Sequence, residues 1–197
     1  MSIFATDDKS KSNRGSVDSV LGDMSGGTSY YDPLLDTGGE KLPEGSYFAH
    51  VKELSIKENV VVKGKFLSDI YNLTFVIAKE SSEPGFAGRD VKSKGFFRFK
   101  EPNPDKYPNL SSNSGSNKGY KDLLDGLNIS PEEKEVDGNK VYSLPLLSSD
   151  QAEGAPVVIK VVHDKWTNRE GEEVTTPKAI SVFKWAEGKR EVFDVPF

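Results

Sequence analysis

The chain of 197 residues contains no cysteine and only two histidines, His50 and His163. Without cysteine the chain cannot form a disulfide, a thiolate zinc site, an iron–sulfur cluster or a cysteine nucleophile. Two histidines are too few for a multi-histidine metal site in one chain. No apolar run approaches the ~18 residues of a membrane-spanning helix, and no signal peptide is evident at the N-terminus. We therefore expect no cofactor, no metal and no membrane partner.

Apolar residues are also scarce, at 35 % of the chain against a usual value of about 45–50 %. Part of the deficit lies in residues 1–42, which hold 13 serines or glycines. We expect this stretch to be a flexible N-terminal arm, followed by one folded domain over residues 43–190 and a C-terminal tip over residues 191–197. Within the domain, residues 130–156 are acidic and read as an insertion.

The folded part is predicted to be mainly β. Alternation of apolar and polar residues predicts strands over Tyr47–Lys52, Tyr71–Ile77 and Val91–Lys100, with Val60–Val62 as a short strand or the far arm of a bent one. Helical spacing over Tyr120–Leu127 predicts one helix, and two further strands follow it. This order fits a five-stranded barrel of the OB type, with the helix between strands three and four. Another small β-barrel, or a sandwich with an added helix, fits the same pattern.

Charge is divided unevenly along the chain. The barrel segments, residues 43–128 and 157–190, hold 20 basic and 16 acidic groups, whereas the remaining segments hold 6 basic and 15 acidic groups. A basic domain with acidic appendages is typical of proteins whose tails compete with nucleic acid for a groove. Ordinary scatter explains a net charge of +4 about equally well.

The third predicted strand carries the sharper signal. Strict alternation puts Val91, Phe97 and Phe99 on the inner face and leaves cations and one aromatic ring on the outer face. Rings that stack on bases, interleaved with cations that pair with phosphates, suit single-stranded nucleic acid. A solvated strand face with one stray phenylalanine is the plain alternative. The predicted DNA-binding residues, including neighbours on the first strand, on the fourth and in the last hairpin, are Phe48, Lys52, Lys92, Lys94, Phe96, Arg98, Lys100, Lys160, Trp166 and Arg169. Trp166 is equally well explained as a core residue that closes the hairpin.

Several stretches of the chain resemble a family of bacteriophage proteins long catalogued as a domain of unknown function. The stretches are LPEGSYFAHVKEL, YNLTFVI, PGFAGRDVKSKGFFRF, EPNPDKYPN and YKDLLDGLNI, between Leu42 and Ile129. The family is read as OB-fold single-stranded DNA-binding proteins of phage replication and recombination. The resemblance implies a sequence-independent binding protein in the host cytoplasm, not an enzyme. The extended arm and the insertion depart from the short form of the family and leave the oligomeric state open, including a homo-oligomer.

The end of the sequence carries a second resemblance. Asp194, Val195, Pro196 and Phe197 are similar to the Asp-Ile-Pro-Phe tip of bacterial single-stranded DNA-binding proteins. That resemblance implies that the four residues bind partner proteins of replication or recombination. A terminal ring that enters a pocket and an acidic group that meets a basic residue give the physical basis.

Two other classes of protein remain open from the sequence. A small phage nuclease would use acids such as Asp90, which opens a short Asp-Val-Lys motif ending at Lys92. A virion or accessory structural protein would use the barrel without any DNA affinity. Metal-dependent DNA cleavage identifies the first class, and the absence of DNA binding favours the second.

Overall fold

The computed structural model describes residues 41–82, 84–113 and 115–193. The predicted arm, apart from its last two residues, and the four residues of the predicted partner-binding tip therefore lie outside the described residues. In chain order the strands and helices are β1 (Gly45–Val62), β2 (Phe66–Ile77), β3 (Asp90–Ser93), β4 (Phe96–Lys100), α1 (Lys118–Gly126), β5 (Glu132–Val136), β6 (Asn139–Ser143), α2 (Ser149–Ala152), β7 (Pro156–Thr167) and β8 (Glu173–Lys184). A 3-10 turn, Pro84–Phe86, precedes β3.

Five strands close into a barrel. β1 pairs with β2 on one side and β7 on the other, β7 pairs with β8, and β8 meets β3 in parallel to complete the ring. β4 continues the third barrel strand and pairs with the opposite half of β2. α1 lies in the chain between the third and fourth barrel strands. The predicted mainly-β, five-stranded barrel with one helix at this position is confirmed.

β1 is one long strand of 18 residues, so Val60–Val62 is the far arm of a bent strand. Its register with β2 shifts twice, between Val51 and Glu53 and again between Lys57 and Val60. Extra residues of this kind bend a strand and increase its twist. Beyond the second shift, Val60–Val62 stay paired with the first residues of β2, and that half of β2 pairs on its other edge with β4.

The predicted third strand is broken, which corrects the expectation of one strand from Val91 to Lys100. β3 ends at Ser93, β4 begins at Phe96, and Gly95 between them has a φ of +92°. A side chain there would adopt a strained backbone conformation, and its Cβ would lie 3.1 Å from Ile70 Cγ2. This interruption has a large consequence, because it changes which face of the sheet each later side chain occupies.

α1 closes the barrel beside β4 and β8. Its buried side chains include Tyr120, Leu123 and Leu124, and the Tyr120 ring lies 4.7 Å from the Tyr71 ring of β2. Gly126 lets the helix approach β8 closely, since a Cβ there would come within 2.8 Å of the Val182 carbonyl oxygen. The apolar helix spacing read from the sequence therefore marks the face that packs into the core.

The folded unit extends beyond both predicted boundaries. Leu42, placed in the arm by the sequence reading, is fully buried, and His163 Nε2 lies 2.8 Å from its carbonyl oxygen. At the other end the Glu191 N–H donates to Gly154 O, so Glu191 belongs to the domain and not to a separate tip. Burial of an apolar side chain and pairing of a backbone group both favour the folded position.

The predicted acidic insertion is only partly an appendage. β5 and β6 form a separate two-stranded hairpin whose residues are almost all exposed. The chain then returns to the barrel, where Leu147, Ala152 and Ala155 are buried in the core. The acidic residues are shared between the two parts, with Glu132, Glu133, Glu135 and Asp137 in the hairpin and Asp150 and Glu153 in the returning stretch. No helix in the described ranges has the length and apolar character needed to cross a membrane.

Candidate nucleic-acid interface

The side chains of β4 occupy the opposite faces from those predicted. Phe96 is 8 % exposed, belongs to the core, and lies directly opposite the buried Tyr71. Phe97 and Phe99 are only half-buried and alternate with Phe96, so they lie on the outer face. The cause is the interruption at Gly95, which resets the alternation between β3 and β4. The predicted assignment of Phe96 outward and of Phe97 and Phe99 inward is therefore wrong.

An aromatic group results on the outer face, and we call it the outer aromatic cluster: Phe66, Phe97 and Phe99. The Phe97 and Phe99 rings are 6.1 Å apart and only 15° from parallel, whereas Phe66 meets Phe99 edge-on at 6.1 Å. Ile70 lies directly across from Phe97 on β2. Two partly exposed rings that face the same way on neighbouring positions can each accept a flat π-system.

Two predicted cations of β4, Arg98 and Lys100, lie on the inner side instead. Both approach Asp69, which is 4 % exposed, with Lys100 Nζ at 2.7 Å and Arg98 Nη1 at 3.6 Å from its carboxylate oxygens. The Asn59 N–H also donates to Asp69 Oδ1. A buried carboxylate needs partners of this kind. These contacts of Asp69 therefore hold β1, β2 and β4 together. The prediction that Arg98 and Lys100 share a face with Lys92 is wrong.

Lys92 lies on the outer face of β3, as predicted, beside a second lysine. In the parallel pairing of β3 with β8, Lys92 is registered with Lys178. Among the described residues neither lysine forms an ion pair. Like charges on adjacent strands repel each other, so an anion that binds between Lys92 and Lys178 would reduce this repulsion. Lys92 is also opposite Thr74, four positions along β2 from Ile70, or about 13 Å from the outer aromatic cluster along the strand.

Two further predicted cations are engaged by acids. Lys52 Nζ lies 2.7 Å from Asp90 Oδ2, and Lys94 Nζ lies 2.9 Å from Asp164 Oδ1. These partners are partly exposed, so the ion pairs contribute little and exchange readily with another anion. The structure thus places both lysines beside β3 while supplying each with a carboxylate of its own.

Phe48 is not brought to the third strand. It lies on β1, opposite Val158 of β7, and its ring contacts Trp185 at 4.7 Å. Together with His50 these rings line an open groove of about 700 Å³ beside the C-terminal segment. His50 is buried there, with Nε2 2.9 Å from the Lys189 carbonyl oxygen and Nδ1 3.0 Å from the Glu191 carboxylate. Phe48 therefore lies beside Trp185 and the C-terminal segment, on a different surface from Phe97 and Phe99.

The remaining predicted residues lie on β7 and in the last hairpin. Lys160 is exposed on the outer face of β7, opposite Ser181. Trp166 is 50 % exposed near the end of β7, which excludes the alternative of a core tryptophan. Arg169 is exposed in the turn that follows. In OB-type barrels this hairpin and the faces of strands two and three border the ligand, so Trp166 and Arg169 stay candidates.

Sequence reasoning missed two outer residues that matter here, Phe66 and Lys178, and it also missed the outward setting of Phe97 and Phe99. One signal could have indicated the last of these. A glycine inside a strand pattern often marks a bulge, and Gly95 precedes the Phe-Phe-Arg-Phe run. Lys178 becomes notable only through a parallel pairing of distant strands, which no local pattern contains.

Comparison with known proteins does not assign the chain to a family. No family model matches it, and no curated protein sequence matches it. The resemblance to phage single-stranded DNA-binding proteins therefore stays a prediction. Within the described part of the chain, no group of three or more histidine and acidic side chains is arranged to hold a metal ion.

Proposed function

We propose that the protein binds single-stranded DNA without reading its sequence, through the outer face of β2, β3 and β4. The observation that carries the proposal is the pair of near-parallel rings, Phe97 and Phe99, on the face that also bears Lys92 and Lys178, which form no ion pair within the described part of the chain. Bases stack on aromatic rings regardless of their identity, and lysines pair with phosphates. Both halves of this chemistry lie on the part of the barrel that OB-type proteins use for oligonucleotides.

Single strands suit this surface better than duplexes. The outer aromatic cluster offers flat, apolar faces, and a duplex keeps its own base faces stacked inside. Only an unpaired base can lie on the Phe97 ring, while the phosphates of either form can reach Lys92 and Lys178. In this account the protein sheathes exposed strands in phage replication or recombination, which is the role that the sequence resemblance implies.

The nuclease alternative receives less support. Asp90, the acid that it would use, is ion-paired with Lys52 at 2.7 Å. A metal-dependent nuclease also needs several acidic or histidine ligands around one point, and the described residues supply no such group. We therefore propose binding and not catalysis.

The salt dependence of binding tests the role of the lysine pair. A fluorescently labelled oligo-dT is titrated with the full chain over a range of salt concentrations, for wild type and for the double variant Lys92→Ala, Lys178→Ala. For single strands the slope of log K against log salt changes by about 0.7 per lost phosphate contact, so the double variant should flatten it by about 1.4.

The matched control is Lys79→Ala, Lys189→Ala, which removes the same charge beside the groove of Phe48 and His50. This control should keep the wild-type slope. An unchanged slope in the Lys92 and Lys178 variant, or equal losses in both double variants, would show that the lysine pair does not contact phosphates.

A further inference from the structure

A polar cleft adjoins the outer aromatic cluster. It has a volume of about 410 Å³ and lies between β4 and the end of β6. Phe99, Arg98 and Lys100 form one wall, and Tyr142 of β6 forms the other, with Asn117 between them. Its size falls within the ~300–1,000 Å³ of small-ligand clefts, large enough for one nucleotide. Phe99 belongs both to this cleft and to the outer aromatic cluster.

Tyr142 carries an exposed ring, and among the described residues its side chain makes no hydrogen bond and no ring–ring contact. It is 53 % exposed and opposite Glu133, whose carboxylate pairs instead with Lys140 at 2.7 Å. Nine of the ten residues in β5 and β6 are exposed, so the hairpin buries almost nothing against the barrel. A two-stranded hairpin without such burial is marginally stable in water. A ligand that packs on Tyr142 would therefore stabilise it.

The opposite wall is firmly held. The Asn117 side chain accepts a hydrogen bond from the Phe99 N–H at 2.7 Å and donates one to the Phe99 carbonyl at 3.0 Å. This amide occupies the hydrogen-bonding edge that β4 would otherwise present to another strand. Each of the Arg98 and Lys100 side chains keeps a quarter of its surface exposed while tethered to Asp69. The cleft thus has one rigid wall and one wall on a weakly packed hairpin.

From this arrangement we infer that the β5–β6 hairpin is a clamp that closes over bound single-stranded DNA. The inference rests on the proposed function. A base leaving the Phe99 ring enters the cleft and is covered by Tyr142, while Arg98 and Lys100 lie beside its phosphate. Because Asp69 already neutralises one of these cations and Glu101 also lines the cleft, stacking on Tyr142 and Phe99 supplies most of the affinity there.

Photo-crosslinking and binding together test the clamp. An oligo-dT carrying 5-iodouracil is bound to the full chain, irradiated, and the crosslinked residue identified by mass spectrometry. We expect a crosslink at Tyr142. We also expect Tyr142→Ala to weaken oligo-dT binding about 5- to 10-fold, near the lower end of the range for one stacked base. Backbone hydrogen exchange over residues 132–143 should slow when the oligonucleotide binds.

Val141→Ala is the matched control, because Val141 is similarly exposed at 45 % and faces the other side of the hairpin. It should leave affinity unchanged. If Phe97→Ala lowers affinity but Tyr142→Ala does not, and no crosslink or slowed exchange is found at the hairpin, the clamp is refuted while the proposed function survives. If wild type binds no single-stranded DNA, both proposals fail.

Discussion

Adjacent phenylalanines on β4 provide a test of the face assignment. Phe96 is buried in the core opposite Tyr71, so Phe96→Ala leaves a cavity. Truncation of a buried phenylalanine costs about 3–5 kcal/mol, a large fraction of the roughly 5–15 kcal/mol that stabilises a domain. Phe97→Ala removes the ring contact with Phe99 and the cross-strand pair with Ile70, each pair contributing about 0.2–1 kcal/mol. We therefore expect Phe97→Ala to cost less than about 2 kcal/mol of unfolding free energy.

DNA binding should show the reverse order. Removing the Phe97 ring deletes one stacking platform, which lowers oligo-dT affinity by about 1–3 kcal/mol, or roughly 5- to 150-fold. Phe96→Ala, studied at a temperature where it remains folded, should bind with nearly wild-type affinity. Phe48→Ala serves as the aromatic control, because its ring packs on Trp185 of another surface.

The two readouts are urea unfolding followed by tryptophan fluorescence and fluorescence anisotropy with labelled oligo-dT. If Phe97→Ala unfolds at a lower urea concentration than wild type while Phe96→Ala is as stable as wild type, Phe97 is the core residue. That result would favour the unbroken third strand that alternation predicts. Equal affinity of Phe97→Ala and wild type would refute stacking on the outer aromatic cluster.

Three further changes probe the frame that holds this face. Gly95→Ala should lower the unfolding free energy by about 1–3 kcal/mol in urea titrations, because its φ of +92° strains any other residue. Asp69→Asn should lower the unfolding free energy by about 2–3 kcal/mol, which is somewhat less than the loss of a fully buried ion pair, since Arg98 keeps partial exposure. Unchanged stability would show that Asp69 does not hold β1, β2 and β4 together. Burial raises the pKa of Tyr120 well above its usual value near 10. The folded state therefore keeps the Tyr120 proton to a higher pH than the unfolded state does. The contribution of this group to stability is fully present below pH ~10 and declines as the pH rises above that value. Tyr120→Phe should flatten that decline in alkaline unfolding curves while costing about 1–3 kcal/mol at neutral pH, because the Leu147 N–H loses its acceptor.

Local patterns were sufficient for β2 and α1. The alternation of Tyr71, Leu73, Phe75 and Ile77 corresponds to four buried positions of β2. The helical spacing from Tyr120 to Leu127 marks the buried face of α1. Burial of one face dictates both patterns, so each can be read without knowledge of the partner element.

The candidate site depends on features that alternation does not encode. One bulge at Gly95 reverses the faces of the five residues that follow, and with them the roles of Phe96 and Phe97. Asp69 holds Arg98 and Lys100 away from the outer face through contacts between strands far apart in the chain. Alternation in the sequence predicts only that successive side chains lie on opposite faces of a strand. Which face each side chain of β4 occupies depends on register and on long-range pairing.

The most direct test of the central claim compares wild-type binding to oligo-dT and to a duplex of matched length at two salt concentrations. The account predicts tighter binding to the single strand at both concentrations, with affinity for both forms falling as salt rises. Equal affinity for duplex, affinity that does not change with salt, or no binding to either form would contradict it, and the last result would favour the structural alternative.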